Sequence, residues 1–115
     1  MAVIEIWHNP RCSKSRQTLA LLQERGIDPT IRRYLEDAPD IDRLRAVRAA
    51  LDVPAIAMMR PGEAAFREQG LSRTDDDETL LAAMAAHPIL IERPIVIREG
   101  KAVIGRPPDN VLSLI

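Results

Sequence analysis

The sequence predicts an α/β domain in which a mixed four-stranded sheet is built from an opening βαβ unit and a closing hairpin, with a helical insertion between them. Three observations predict it. A short run of β-branched and aromatic residues leads into helical periodicity and then a second strand-like run; the middle of the chain carries helical periodicity only; and two strand-like runs near the end flank Glu99-Gly100. With 115 residues, 46% of them hydrophobic and 29% charged, the chain reads as one domain over residues 1–115 that can bury a core without staples.

Val3, Ile4, Ile6 and Trp7 read as a buried strand, which Pro10 stops. The first helix is expected from Lys14 to about Arg25, with Ser13 as N-cap, Leu19 and Leu22 at helical spacing, and Gly26 as the C-terminal stop. Asp28-Pro29 then turns the chain into a second strand, Thr30 to Leu35. Strand, helix and strand make a right-handed βαβ unit, so the loop between Trp7 and the helix lies at the carboxyl edge of the sheet, where α/β folds bind ligands.

Asp40 is the expected N-cap of a second helix that buries Ile41, Leu44, Val47 and Leu51 and turns Arg43, Arg45 and Arg48 to solvent. A short helix beginning at Pro54 delivers Arg60 just before Pro61-Gly62, and a further turn or two from Glu63 to Glu68 ends at Gly70. Asp75-Asp76-Asp77-Glu78 opens a helix carrying Leu80, Leu81 and Met84, and the acids are read as capping. His87-Pro88 ends it, with His87 as a helix-end residue rather than a catalyst. Ile95–Arg98 and Lys101–Ile104 form a hairpin whose loop places glycine where positive φ is needed. Gly105-Arg106-Pro107-Pro108 turns away, and Asp109 or Asn110 caps a short last helix carrying Val111, Leu112 and Leu114.

A formal charge of −1 argues against a general nucleic-acid or membrane-surface binder. No apolar run approaches the roughly 18 residues of a membrane span, and the chain enters a strand directly from Met1 without a basic stretch and signal core. The expected location is cytoplasmic, and a monomer is expected. Two histidines far apart and one cysteine offer no zinc-ligand spacing, so no metal is expected.

The chemistry centres on His8-Asn9-Pro10-Arg11-Cys12-Ser13-Lys14-Ser15-Arg16. Cys12 falls within about one turn of the helix start, where unpaired N–H groups and the dipole favour an anion. Arg11, Lys14 and Arg16 crowd the same turn, and no acid lies between Glu5 and Glu24, so the thiolate is favoured further. A cysteine in a small domain is often only a buried apolar residue; this one, among bases at a helix start, reads as a nucleophile. Because it is the only cysteine, any resolving thiol comes from another molecule.

Two stretches carry a resemblance. His8-Asn9-Pro10-x-Cys12-x-x-Ser15-Arg16-x-Thr18-Leu19 and His87-Pro88-Ile89-Leu90-Ile91-x-Arg93-Pro94-Ile95-Val96 resemble the two motifs of the glutaredoxin-coupled arsenate reductase family, over essentially the whole chain. The resemblance implies a thioredoxin-like fold, with Pro94 as a cis-proline beside the active thiol. It also implies that Cys12 attacks arsenate or a similar oxyanion held by Arg60, Arg93 and Arg106, with His8 helping to keep the sulfur ionised. Ser15 is expected to donate a hydrogen bond to that sulfur, and guanidinium forks suit a tetrahedral dianion better than lysine does. By the same resemblance glutathione is the co-substrate, glutaredoxin reduces the resulting mixed disulfide, and no cofactor is bound.

Ser13-Lys14 and Pro61-Gly62 depart from the pattern of the well-studied reductases and look closer to the YfgD-like branch. Two other readings keep the fold: a monothiol glutathione-linked oxidoreductase with a different substrate, and an Spx-like regulatory binding protein. The second commonly uses a Cys-x-x-Cys switch, which Ser15 rules out here.

Overall fold

The computed structural model describes residues 3–115. Four strands, β1 (Ile4–Trp7), β2 (Thr30–Arg32), β3 (Ile95–Arg98) and β4 (Lys101–Ile104), form one mixed sheet in the order β2-β1-β3-β4. β1 runs parallel to β2 and antiparallel to β3, and β3 is antiparallel to β4. The helices are α1 (Ser13–Glu24), α2 (Ile41–Leu51), α3 (Ala64–Glu68) and α4 (Asp77–Ala86), with 3₁₀ segments at Ala55–Met58, Pro88–Leu90 and Pro108–Leu114. The expected architecture of βαβ unit, helical insertion and hairpin is the observed one.

Strand alternation divides the core between the two faces of the sheet. Ile4, Ile6 and Val96 face Leu22 of α1 and Val111 of the last 3₁₀ segment. Trp7, Ile95 and Ile97 face the insertion, where Leu44, Val47, Met58, Leu80, Leu81 and Met84 complete a larger cluster. Among the described residues no helix is long and apolar enough to cross a membrane.

Several local expectations are corrected. β2 ends at Arg32 rather than at Leu35, because the amides of Glu36 and Asp37 turn back onto the Arg33 carbonyl (2.9 and 2.8 Å) and Tyr34 is drawn wholly into the core. Cys12, not Ser13, is the N-cap residue of α1, with extended backbone (φ −94°, ψ 122°) and no side-chain cap; its carbonyl already accepts the first helical bond from Arg16 N (3.0 Å). The arginines of α2 are not a free solvated face. Arg43 pairs with Glu5 (3.1 Å) and Arg45 with Glu78 (2.9 Å), while Arg48 lies 3.7 Å from Asp77. The acidic cluster therefore does more than cap: Asp76 accepts from Thr79 N (2.7 Å), but Asp77 accepts from Ala55 N (3.0 Å) and ties two elements together.

The hairpin forms as expected, with Glu99 (φ 48°) and Gly100 (φ 76°) both left-handed, the pair of positive angles that a two-residue loop needs to match strand twist. The final helix is a 3₁₀ segment led by Pro107, so neither Asp109 nor Asn110 is its N-cap. Asn110 instead donates to the carbonyls of Ile104 (3.2 Å) and Arg106 (3.0 Å), bracing the turn that follows β4. The Arg93–Pro94 bond is cis, as expected, and so is Arg106–Pro107, which no sequence signal had marked.

Candidate active site

One edge of the sheet collects the chemistry. β1 ends there and runs into the Cys12 loop; β3, antiparallel to it, begins there just after Arg93-Pro94, with Trp7 opposite Ile95. β4 ends at the same edge, Ile104 opposite Ile95, and continues into Gly105-Arg106. Antiparallel pairing thus brings segments some eighty residues apart onto one site.

The Cys12 loop is held by its own polar groups. Asn9 accepts from Arg11 N through Oδ1 (3.0 Å) and from Cys12 N through its carbonyl (3.0 Å). Ser15 Oγ accepts from Asn9 N (3.0 Å) and lies 2.6 Å from His8 Nδ1, all within buried surroundings. Since Nδ1 is the one acceptor that the Ser15 hydroxyl meets among the described residues, we assign its proton to that contact, which leaves Nδ1 unprotonated. Burial holds the His8 pKa below its ordinary value, and the charges of Arg33 and Arg16 push it the same way. His8 is therefore a neutral brace for the loop and not a cation beside the sulfur.

Cys12 is buried at 8% exposure, and its pKa is still depressed. Burial alone pushes the thiol up. The Ser15 backbone N–H, the Arg93 guanidinium and the Lys14 backbone N–H, each favouring the anion, outweigh it. The first turn of α1 thus acts through its amides, and the expected Ser15 hydroxyl contact is replaced by the Ser15 backbone. The local bases also play another part: Arg11, Lys14 and Arg16 have exposed side chains, and Arg16 turns back to the Pro10 carbonyl (2.9 Å).

Of the three arginines, two reach the sulfur. Arg106 Nη2 lies 3.4 Å from Cys12 Sγ while its Nε donates to the Arg93 carbonyl (2.7 Å), so one guanidinium links both. Arg93 also reaches the sulfur, its guanidinium favouring the anion by hydrogen bond and charge, while its Nε is buried and unpartnered among the described residues. Arg60 is brought to the same edge by an antiparallel bridge between Met59 and Ile91, closed by Arg60 N to Leu90 O (2.8 Å) and Glu92 N to Met58 O (2.9 Å). Its side chain is committed to two carboxylates, Glu63 through Nε (3.1 Å) and Glu92 through Nη1 (3.0 Å).

Neither carboxylate belongs to the expected site. Glu92 Oε1 also lies 3.2 Å from Arg106 Nε and accepts from Arg93 N (3.0 Å), so one oxygen gathers all three arginine-bearing segments. Its place directly before Arg93 in the second motif was the available signal. Arg60, Glu63, Glu92 and Arg106 line a hollow of about 400 Å³. A larger hollow, about 1120 Å³, is at the opposite end of the sheet among Val3, Ile4, Ile27 and Ile115, away from Cys12. Among the described residues no group of three or more His, Cys, Asp or Glu side chains is placed to hold a metal ion.

Gly105 is more than a turn residue, and its role is spatial. A Cβ there would lie 2.7 Å from Thr18 Oγ1 and 2.8 Å from Pro94 Cγ, so only glycine lets β4 leave the sheet against both. Its amide donates to the Pro94 carbonyl (2.9 Å), locking the Arg106 turn onto the cis-proline segment.

A four-stranded mixed sheet with a cysteine at the start of α1 and a cis-proline at the start of β3 defines a thioredoxin-like domain with a single cysteine. Residues 7–114 match the model of the ArsC family, and the chain belongs to that family. It is 44% identical over 117 residues to an arsenate reductase of Neisseria meningitidis, covering all of both chains, and 45% identical to the Escherichia coli protein YfgD over 97% of this chain and 96% of that one. Among solved structures, an arsenate reductase from Vibrio cholerae superposes with a TM-score of 0.94 at 46% identity, covering 98% of each chain.

Proposed function

We propose that the protein reduces arsenate with glutathione and glutaredoxin, with Cys12 as the nucleophile. The observation that carries this reading is a thiolate favoured by helix-start amides and flanked by Arg93 and Arg106, in a chain whose relatives include arsenate reductases over their full length. The Cys12 thiolate attacks arsenic, and an oxygen leaves as water after protonation. Arg93 and Arg106 hold the charge on the remaining oxygens, and Arg60 joins them through the Glu92 network.

Glutathione sulfur then attacks Cys12 sulfur. The S–As bond breaks, its electron pair reduces arsenic from the pentavalent to the trivalent state, and arsenite departs. Two thiols have supplied the two electrons, and Cys12 is left as a mixed disulfide with glutathione. Glutaredoxin attacks the glutathione sulfur and frees the Cys12 thiol, which suits a chain with no second cysteine. Purified protein supplied with arsenate, glutathione, glutaredoxin and an NADPH-coupled recycling system is expected to consume NADPH, and Cys12→Ser is expected not to. Equal rates for the two would reject the reading. A monothiol oxidoreductase acting on another substrate would instead be glutathionylated at Cys12 without arsenate protecting that thiol.

A further inference from the structure

Two buried polar atoms lack a partner among the described residues: Arg93 Nε and the Tyr34 hydroxyl. Such orphans are rare, because a buried polar group without a hydrogen bond costs about 1–3 kcal/mol, and both of these carry a proton to give. Each is a buried donor that meets no acceptor among the described residues.

Tyr34 is fully buried, at 0% exposure, just beyond the end of β2, at the edge where His8 N donates to the Arg32 carbonyl (2.8 Å). Burial pushes its pKa up to about 12, and the charges of Arg93, Cys12 and Arg60 all act on the ring oxygen. The hydroxyl is consequently protonated at neutral pH. The Asn9 side chain lies close enough to favour the phenolate but makes no aligned hydrogen bond with it, and none runs from the hydroxyl to the Cys12 sulfur. A donor in the field of the sulfur yet not bonded to it is placed for an atom attached to the sulfur's next partner.

Resting on the oxyanion reading above, we propose that the Tyr34 hydroxyl is a hydrogen-bond donor to the oxyanion bound at Cys12. A tetrahedral oxyanion brings acceptor oxygens only, which is what two orphan donors require. Removing the hydroxyl then deletes a ligand contact and leaves the fold untouched, since nothing in the protein bonds to it.

The test is Tyr34→Phe, read by the arsenate concentration that halves the rate of Cys12 alkylation by iodoacetamide. A lost hydrogen bond to a charged group predicts that this concentration rises about tenfold or more. The pH midpoint of alkylation without arsenate stays as in the wild type, and the urea midpoint is unchanged or higher. Equal protection of Tyr34→Phe and wild type would overturn the proposal and leave the oxyanion reading standing. A Tyr34→Phe chain that is less stable, or does not fold, would overturn it too, by showing that the hydroxyl has a partner within the protein. If arsenate fails to protect wild-type Cys12, the oxyanion reading falls and the proposal with it.

Discussion

Arg106 reaches the Cys12 sulfur across 94 positions of sequence, its Nη2 3.4 Å from Sγ, while its Nε is held by the Arg93 carbonyl at 2.7 Å. One planar group thus fixes its own angle and presents a second N–H to the sulfur. Lysine, with a point charge on a flexible stem, cannot do both. Arg106→Lys is therefore expected to lower kcat about 100-fold, the cost of one misplaced charge-stabilising donor, with thiolate formation largely kept. Steady-state kinetics at saturating glutathione measure it.

Arg93 favours the thiolate by both contact and charge, against the burial that opposes it. Because the Cys12 pKa is depressed, thiolate persists below the ordinary thiol range and is lost only as pH falls through the lowered value. Arg93→Ala removes part of the compensation, so the midpoint moves up, toward the ordinary thiol range. Thiolate absorbance in the ultraviolet, followed against pH, reads it directly.

Ser15 separates bracing from electrostatics. Ser15→Ala leaves Asn9 N and His8 Nδ1 without their shared partner in a buried loop, at a cost of about 1–3 kcal/mol in urea denaturation. The backbone N–H that faces the sulfur remains, so the Cys12 midpoint moves less than in Arg93→Ala. An equal shift in the two variants would contradict the assignment of that role to the backbone.

At position 105 the constraint is steric. Gly105→Ala sets a methyl 2.7 Å from Thr18 Oγ1 and 2.8 Å from Pro94 Cγ, both in packed surroundings. Overpacking of this kind costs about 1–3 kcal/mol, and because Arg106 is the next residue, kcat falls as well. Thermal denaturation and kinetics on the same sample test the pair of effects, and Thr18→Ala in the same chain restores part of each.

The architecture was legible because each element announced itself locally: Asp40 capping α2, the acids opening α4, and Glu99-Gly100 closing a hairpin whose strands have the expected bounds. Cys12, Arg93 and Pro94 were legible for another reason, as they sit in contiguous motifs. What stayed hidden depends on distance in sequence. Nothing near Arg60 shows that Glu92 will take its guanidinium, because the Met59–Ile91 bridge that places them together is a tertiary pairing. The groups that touch the sulfur are hidden for the same reason: Arg11, Lys14 and Arg16 have exposed side chains, and the guanidinium groups that reach Cys12 come from the far end of the chain.

The central claim is an anionic sulfur facing a guanidinium-lined oxyanion site, and its most direct measurement is the rate of Cys12 alkylation against pH, with and without arsenate. The account predicts a midpoint below about 8.5 without arsenate, and a rate suppressed at every pH when arsenate is present. A midpoint at or above that value, with arsenate leaving the rate unchanged, would contradict it.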